Sequence, residues 1–247
     1  MRFSAAYGFT GLAVGGVLLS WSGTAKAEFV GTLQLIPEGC QTGRYCKLGQ
    51  EFGYVDPLGI GWQARKGLQT DGASIPPWAR PLVGGAFEPA FIKAAIIHDH
   101  YCDRRVRPWR QTHRVFYNAL LESGVESGKA GIMYFAVLVG GPKWAKLVKG
   151  KPCPVGQNCI NALEVSASVP ESALAIGTEG GLFVSRAPQY DTEHFAELMR
   201  EKVPELEKQS ATLTVEEVER QAAGAMAGDF YFVNGDEVGS ELELEVK

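Results

Sequence analysis

The spacing of hydrophobic and polar positions changes period several times along the chain, and each change marks an element. From Glu28 to Thr70, short apolar runs (Phe29 to Ile36, Glu51 to Val55, Gly61 to Ala64) are separated by Pro37-Glu38-Gly39, Pro57 and several glycines. That punctuation predicts small strands joined by turns. From Phe91 the pattern becomes helical. Phe91, Ile92, Ala94, Ala95, Ile96 and Ile97 form a nearly continuous apolar run, and His113, Phe116, Tyr117, Leu120 and Leu121 then repeat at i, i+3, i+4, i+7 and i+8. A third helix covers about Ser127 to Gly140 and is stopped by Gly140-Gly141-Pro142. The expected fold is α+β: a small antiparallel sheet, a helical-hairpin core from Glu88 to Gly140, and an acidic helical C-terminal segment. Nothing alternates strand and helix regularly enough for a parallel Rossmann-type sheet.

Beyond the third helix the pattern weakens. Lys143, Lys146, Lys149 and Lys151 interleave with Trp144 and Leu147. This reads as a surface helix turn, either a solvated face or a contact for anionic lipid or peptidoglycan. Asn161 to Pro188 reads as loop with one or two strands. Phe195, Leu198, Met199, Val203 and Leu206 then place an amphipathic helix over Asp191 to Gln209, capped by Asp191 or Thr192 and bent or ended by Pro204. Thr214-Val215-Glu216-Glu217 is a capping box ahead of the stripe Val215, Val218, Ala222, Ala225 and Met226. Phe230 to Val233, Asn234-Gly235 and the alternation Leu242, Leu244, Val246 suggest a terminal hairpin.

The first residues fit export better than a folded core. Arg2, the apolar stretch Ala5 to Trp21 and Ala25-Lys26-Ala27 make a secretory signal with a mature start at Glu28. The expected division is therefore a signal peptide over 1–27, a core domain over 28–152 and an accessory segment over 153–247, in a periplasmic or secreted protein. Export makes disulfides possible, and the five cysteines suggest the local pairs Cys40–Cys46 and Cys153–Cys159, leaving Cys102 a buried thiol. Two zinc-binding pairs are the alternative, though the spacings are wider than the usual knuckle. From Pro188 onward there are fifteen Asp and Glu against five Lys and Arg, an acidic balance that argues against nucleic acid as a partner.

The candidate chemistry lies where the apolar run of the first helix ends, at His98, Asp99, His100 and Asp103. Unpaired buried charge costs several kcal/mol, so these groups need partners. His113, facing from the second helix, reaches the far ring nitrogen of His98 and fixes its tautomer, as a catalytic base requires. Asp99 diverges from His98 by about a hundred degrees around the helix and faces a neighbouring cation. Asp71, in the loop Thr70-Asp71-Gly72, brings that cation a second oxygen. A buried polar knot without turnover accounts for the same residues.

Thr70-Asp71-Gly72-Ala73-Ser74-Ile75-Pro76, Ala95-Ile96-Ile97-His98-Asp99-His100-Tyr101, Arg114-Val115-Phe116-Tyr117-Asn118-Ala119-Leu120 and Met133-Tyr134 through Gly140 together resemble the domain-of-unknown-function 1353 family of phages and proteobacteria. That resemblance implies a shared site and no particular reaction. More loosely, His98-Asp99 at the end of an apolar helix is similar to the secreted phospholipases A2. It implies His98 as the base, Asp99 and Asp71 as Ca2+ ligands and position 113 as the orienter, although His113 stands where a carboxylate is expected. A zinc reading, with His98, His113 and Asp99 or Asp71 holding the ion, suits a peptidoglycan amidase or peptidase. Against both stands the favoured expectation, an exported binding or structural module of no catalytic activity.

Overall fold

The computed structural model describes residues 26–37, 45–76, 84–149, 174–176, 182–235 and 237–240. The N-terminal β region forms two small antiparallel sheets where one was expected. Strands β1 (Glu28–Val30), β4 (Phe52–Val55) and β5 (Gly61–Ala64) make the order β1-β4-β5, and β2 (Leu35–Ile36), β3 (Cys46–Leu48) and β6 (Gln69–Thr70) make β2-β3-β6. Alternation decides which side chains turn inward: Phe52 and Tyr54 on β4 and Trp62 and Ala64 on β5 are buried while their neighbours are not.

Three helices follow: α1 (Ile92–Arg104), α2 (Trp109–Glu122) and α3 (Ser127–Gly140). Ala94 to Ile97 are all buried, because α1 lies between the sheet, α2 and the rest of the core. Arg105, in left-handed conformation, ends α1 with its N–H on the Tyr101 carbonyl. The link to α2 is tied down by Arg107, whose guanidinium stacks 4.0 Å over Trp62 and donates to the Gly61 carbonyl. At the start of α3, the Glu126 carboxylate accepts from the Gly128 and Lys129 amides, which hold its pKa down.

The basic stretch is not a surface helix turn. Residues Lys143–Lys149 form β7, in a mixed sheet of order β10-β7-β9-β8 with β8 (Leu174–Ile176), β9 (Leu182–Arg186) and β10 (Glu237–Ser240). Lys143 is 0% exposed, and its Nζ donates to the Val139 and Gly141 carbonyls beside the rings of Trp109 and Phe232. It caps the carbonyl end of α3 from within the core, where burial lowers its pKa to about 7.

The terminal hairpin is also corrected. Phe230–Asn234 is a short helix, α6, capped by Asp229, and it is held by Arg110 donating to the Tyr231 and Phe232 carbonyls. Gly235 ends it, and β10 then runs parallel to β7. Pro204 neither ends nor breaks α4 (Glu193–Lys208): it lies on the exposed face, where the carbonyl it leaves unbonded can meet water. Thr192 and Thr214 cap α4 and α5 (Val215–Ala225) as expected.

The segment after 153 shares the core of the helices before it. Phe195, Met199, Leu206, Val218 and Ala222 belong to one continuous buried cluster with α1, α2 and α3. Across that junction Glu219 on α5 receives hydrogen bonds from Tyr134 and Arg114. Among the described residues no helix is long and apolar enough to cross a membrane. Cys102 is a free, buried thiol. The expected pairings involve Cys40, Cys153 and Cys159, which fall outside the described residues, as do residues 1–25 of the expected signal segment and residues 241–247.

Candidate functional site

The last two turns of α1 open onto a cavity of about 490 Å³. Its walls divide by element. Ile132, Met133, Ala136 and Val137 of α3 and Phe195, Met199 and Val203 of α4 supply an apolar side. His98, Asp99, Cys102 and Asp103 of α1, Asp71 of the loop after β6, and Arg105 and Arg186 supply a polar one. Gly72 has φ +87°, and a Cβ there would lie 2.6 Å from the Ala86 carbonyl oxygen, so only glycine lets the Asp71 loop dock. The loop is further held by Ala73 N–H on that carbonyl and Gly72 N–H on Thr70 Oγ1.

His98 and His113 meet as their sequence positions predict. His98 Nε2 lies 2.9 Å from His113 Nδ1, and His98 Nδ1 lies 3.1 Å from Asp99 Oδ1. His98 borders the cavity. His113 is sealed behind it, between Trp109 and Trp144, and its Nε2 is 3.1 Å from the Pro142 carbonyl. A carbonyl accepts only, so His113 donates from Nε2. Burial first, then the charges of His98 and Lys143, push the His113 pKa well below its ordinary value, and the neutral ring presents a lone pair at Nδ1. The approach needs Gly141, where a Cβ would sit 2.3 Å from the Val137 carbonyl oxygen and 3.0 Å from His113 Nε2.

Asp71 and Asp99 line the same cavity, Asp71 exposed and Asp99 with its side chain 38% exposed. Asp103, one turn beyond Asp99, also faces it, and burial and then the Asp99 charge raise its pKa. His100 points elsewhere. It packs against Tyr101 and Arg104, and burial followed by the charges of Arg104 and Arg65 lowers its pKa to about 4.

Three contributors escaped the sequence reading. Cys102 Sγ is 3.4 Å from His98 Nε2, and the donor atoms of His98, Cys102 and His113 lie within 4.8 Å of one another. The signal was present as His98-x-x-x-Cys102, a spacing that puts both side chains on one helix face. Burial, then the charges of Asp99 and Asp103, push the Cys102 thiol well up. Tyr190, lining the cavity, has its pKa raised well above the ordinary value by burial and then by Cys102 and Asp99. Arg186 closes the polar side while paired with Asp229. No local pattern marks Tyr190 or Arg186, because the end of β9 and the turn after it reach the cavity only through the β7–β9 pairing.

Residues 46–137 match the model of the family described as a protein of unknown function, DUF1353. Over 113 residues the chain is 54% identical to the uncharacterized protein y4iH of Sinorhizobium fredii, covering 46% of this chain and 47% of that one. Over 163 residues it is 36% identical to the uncharacterized protein y4jT of the same organism, covering 62% of this chain and 48% of the other. The chain therefore spans about half the length of the curated relatives it matches. No solved structure matches it. The matched block holds Asp71, His98, Asp99, Cys102 and His113, so the candidate site lies in the stretch that is similar to the DUF1353 family.

Proposed function

We propose that the protein is an exported binding module that takes up an amphipathic, lipid-like molecule through the cavity beside α1. The observation that carries this is the division of the walls, with α3 and α4 offering an apolar surface and α1 with the Asp71 loop offering charged and hydrogen-bonding groups. An acyl or similar chain against Met133, Phe195 and Met199 gains about 0.8 kcal/mol per buried methylene, and a polar head group meets Arg105 and the carboxylates. The signal-like N-terminus supports an oxidising compartment. The test is displacement of a fluorescent fatty acid from the purified chain. One-to-one binding, weakened at least tenfold by Met199→Arg and little changed by the distant Leu58→Ser, is the expected result. Absence of saturable binding for fatty acids and lysophospholipids overturns the proposal.

One observation favours a second reading. His113, neutral and tied to Pro142, turns its Nδ1 lone pair toward His98 Nε2, and in the tautomer with the hydrogen on Nε2 the basic atom is His98 Nδ1, beside Asp99. In a Ca2+-dependent ester hydrolase that atom activates a water, and Asp99 and Asp71 are the oxygen ligands on the same cavity. Hydrolysis of a short-chain phospholipid that needs Ca2+, stops with a chelator and disappears in His98→Ala would establish it. Binding without turnover leaves the module reading standing.

A further inference from the structure

The hydrogen bonds around the two histidines do not balance. The outer nitrogen of His113 faces the Pro142 carbonyl and that of His98 faces the Asp99 carboxylate, and both partners accept. If each outer nitrogen donates, two neutral rings have no hydrogen left for the inner pair. His98 Nε2 and His113 Nδ1 then confront each other at 2.9 Å, lone pair against lone pair. Cys102 Sγ, whose sulfur becomes a third lone-pair donor once its proton leaves, lies 3.4 Å from His98 Nε2. Such an arrangement is complete when a cation occupies its centre.

We propose that His98 Nε2, His113 Nδ1 and the Cys102 sulfur hold a thiophilic metal ion, zinc foremost, at the floor of the cavity. The three atoms lie within 4.8 Å of one another and come from buried side chains. Donors around a tetrahedral zinc, with bonds of about 2.0 Å to nitrogen and about 2.3 Å to sulfur, stand roughly 3.3 to 3.6 Å apart. The two histidine nitrogens need to part by only a few tenths of an ångström. Both outer hydrogen bonds are those that orient metal-bound imidazoles, one to a carboxylate and one to a backbone carbonyl. Imidazole with thiolate selects zinc or copper over calcium or magnesium. Binding releases the Cys102 proton to solvent, and the ion's remaining charge faces the carboxylates of Asp99 and Asp103. His98 and Cys102 both border the cavity, so the fourth coordination position opens into it and accepts water or a ligand's donor atom. Zinc held this way uses Cys102, which makes it a different site from a calcium ion on Asp71 and Asp99.

The site is tested on the full chain after treatment with a chelator. Titration with Co2+ should saturate at one equivalent and produce a thiolate-to-cobalt charge-transfer band in the near ultraviolet. Cys102→Ser should lose that band. Asp99→Asn, which alters only an outer hydrogen bond, should weaken zinc about 10-fold. X-ray absorption on the unaltered, zinc-loaded chain should show one sulfur at about 2.3 Å and nitrogen or oxygen at about 2.0 Å, a measurement that stands even if the variant does not fold. The proposal is overturned by failure to bind zinc or cobalt stoichiometrically, by a band that persists in Cys102→Ser, or by a four-sulfur shell that places the ion on the other cysteines. Fatty-acid displacement in the metal-free chain reads the amphiphile proposal separately.

Discussion

Asp56 and His98 are both ionisable, both about 5% exposed or less and both packed beside aromatic rings, yet they are built for different ends. Asp56 is matched within seven residues of sequence. Its Oδ1 accepts from the Leu58 and Ile60 amides at 2.9 Å each, and its Oδ2 accepts from Trp62 Nε1 at 3.0 Å. Every partner is a donor facing an acceptor, and nothing remains for a ligand to satisfy. His98 draws its partners from three places, a neighbouring carboxylate, a thiol one turn on and a second helix, and its hydrogen count does not close. Both border a cavity, but only His98 does so with a bond unmet. A buried polar group whose bonds are complete is a structural fastening, whereas one left incomplete at the edge of a cavity points to something that completes it.

The comparison breaks first at Asp56. Asp56→Ala strands three donors, and unfolding in urea should show a loss of about 3 kcal/mol with fatty-acid and zinc binding retained at temperatures where the variant stays folded. Zinc lost in this variant while its circular dichroism remains native would tie the two regions together and defeat the contrast. His98→Ala should cost less, about 2 kcal/mol, while abolishing zinc binding. Cys102→Ala should cost least among the substitutions, about 1 kcal/mol for the packing removed, again with the metal lost. A ranking in which Cys102→Ala is the most destabilising of the three would make the cluster the fastening and Asp56 the spare part.

Acid sharpens the same contrast with a smaller effect. His100 has its folded pKa lowered to about 4 from an ordinary 6.5, and that of His113 is also lowered. Between those values the unfolded chain binds protons that the folded chain refuses. Their contribution is present above about pH 6.5 and is lost as pH falls toward 4. Metal-free protein should therefore show a falling urea midpoint over that window, and His100→Asn should flatten part of the slope. An unchanged slope in His100→Asn would remove His100 from the account.

Much of this was legible in the chain. An apolar run that stops abruptly at ionisable residues announces a site, and the helical register of His113 places it opposite His98. Asp71-Gly72 was readable as a turn, and the Gly72 approach to Ala86 supplies the reason. Lys143 was not legible: a lysine-tryptophan alternation looks like a solvated face until the carbonyl end of α3 is known to lie over it. The strand pairing of β7 with β10 escaped for a related reason, since a parallel partner some ninety residues away leaves no local trace while Asn234-Gly235 imitates a hairpin turn. Cys102 was read as the cysteine left over after pairing, and its i+4 relation to His98 was overlooked. Arithmetic on disulfides hid a donor.

The cavity walls come from both sides of one boundary along the chain. Asp71, His98, Asp99, Cys102 and the α3 side chains lie inside the block that matches the family, whereas Arg186, Tyr190, Phe195, Met199 and Val203 lie outside it. The donors thus sit in the stretch that matches the family model, and the facing helix sits in the stretch after it. Recombination after α3 would exchange that helix for another and leave the histidines and the cysteine untouched. A chain built this way can change its apolar wall without disturbing the donors.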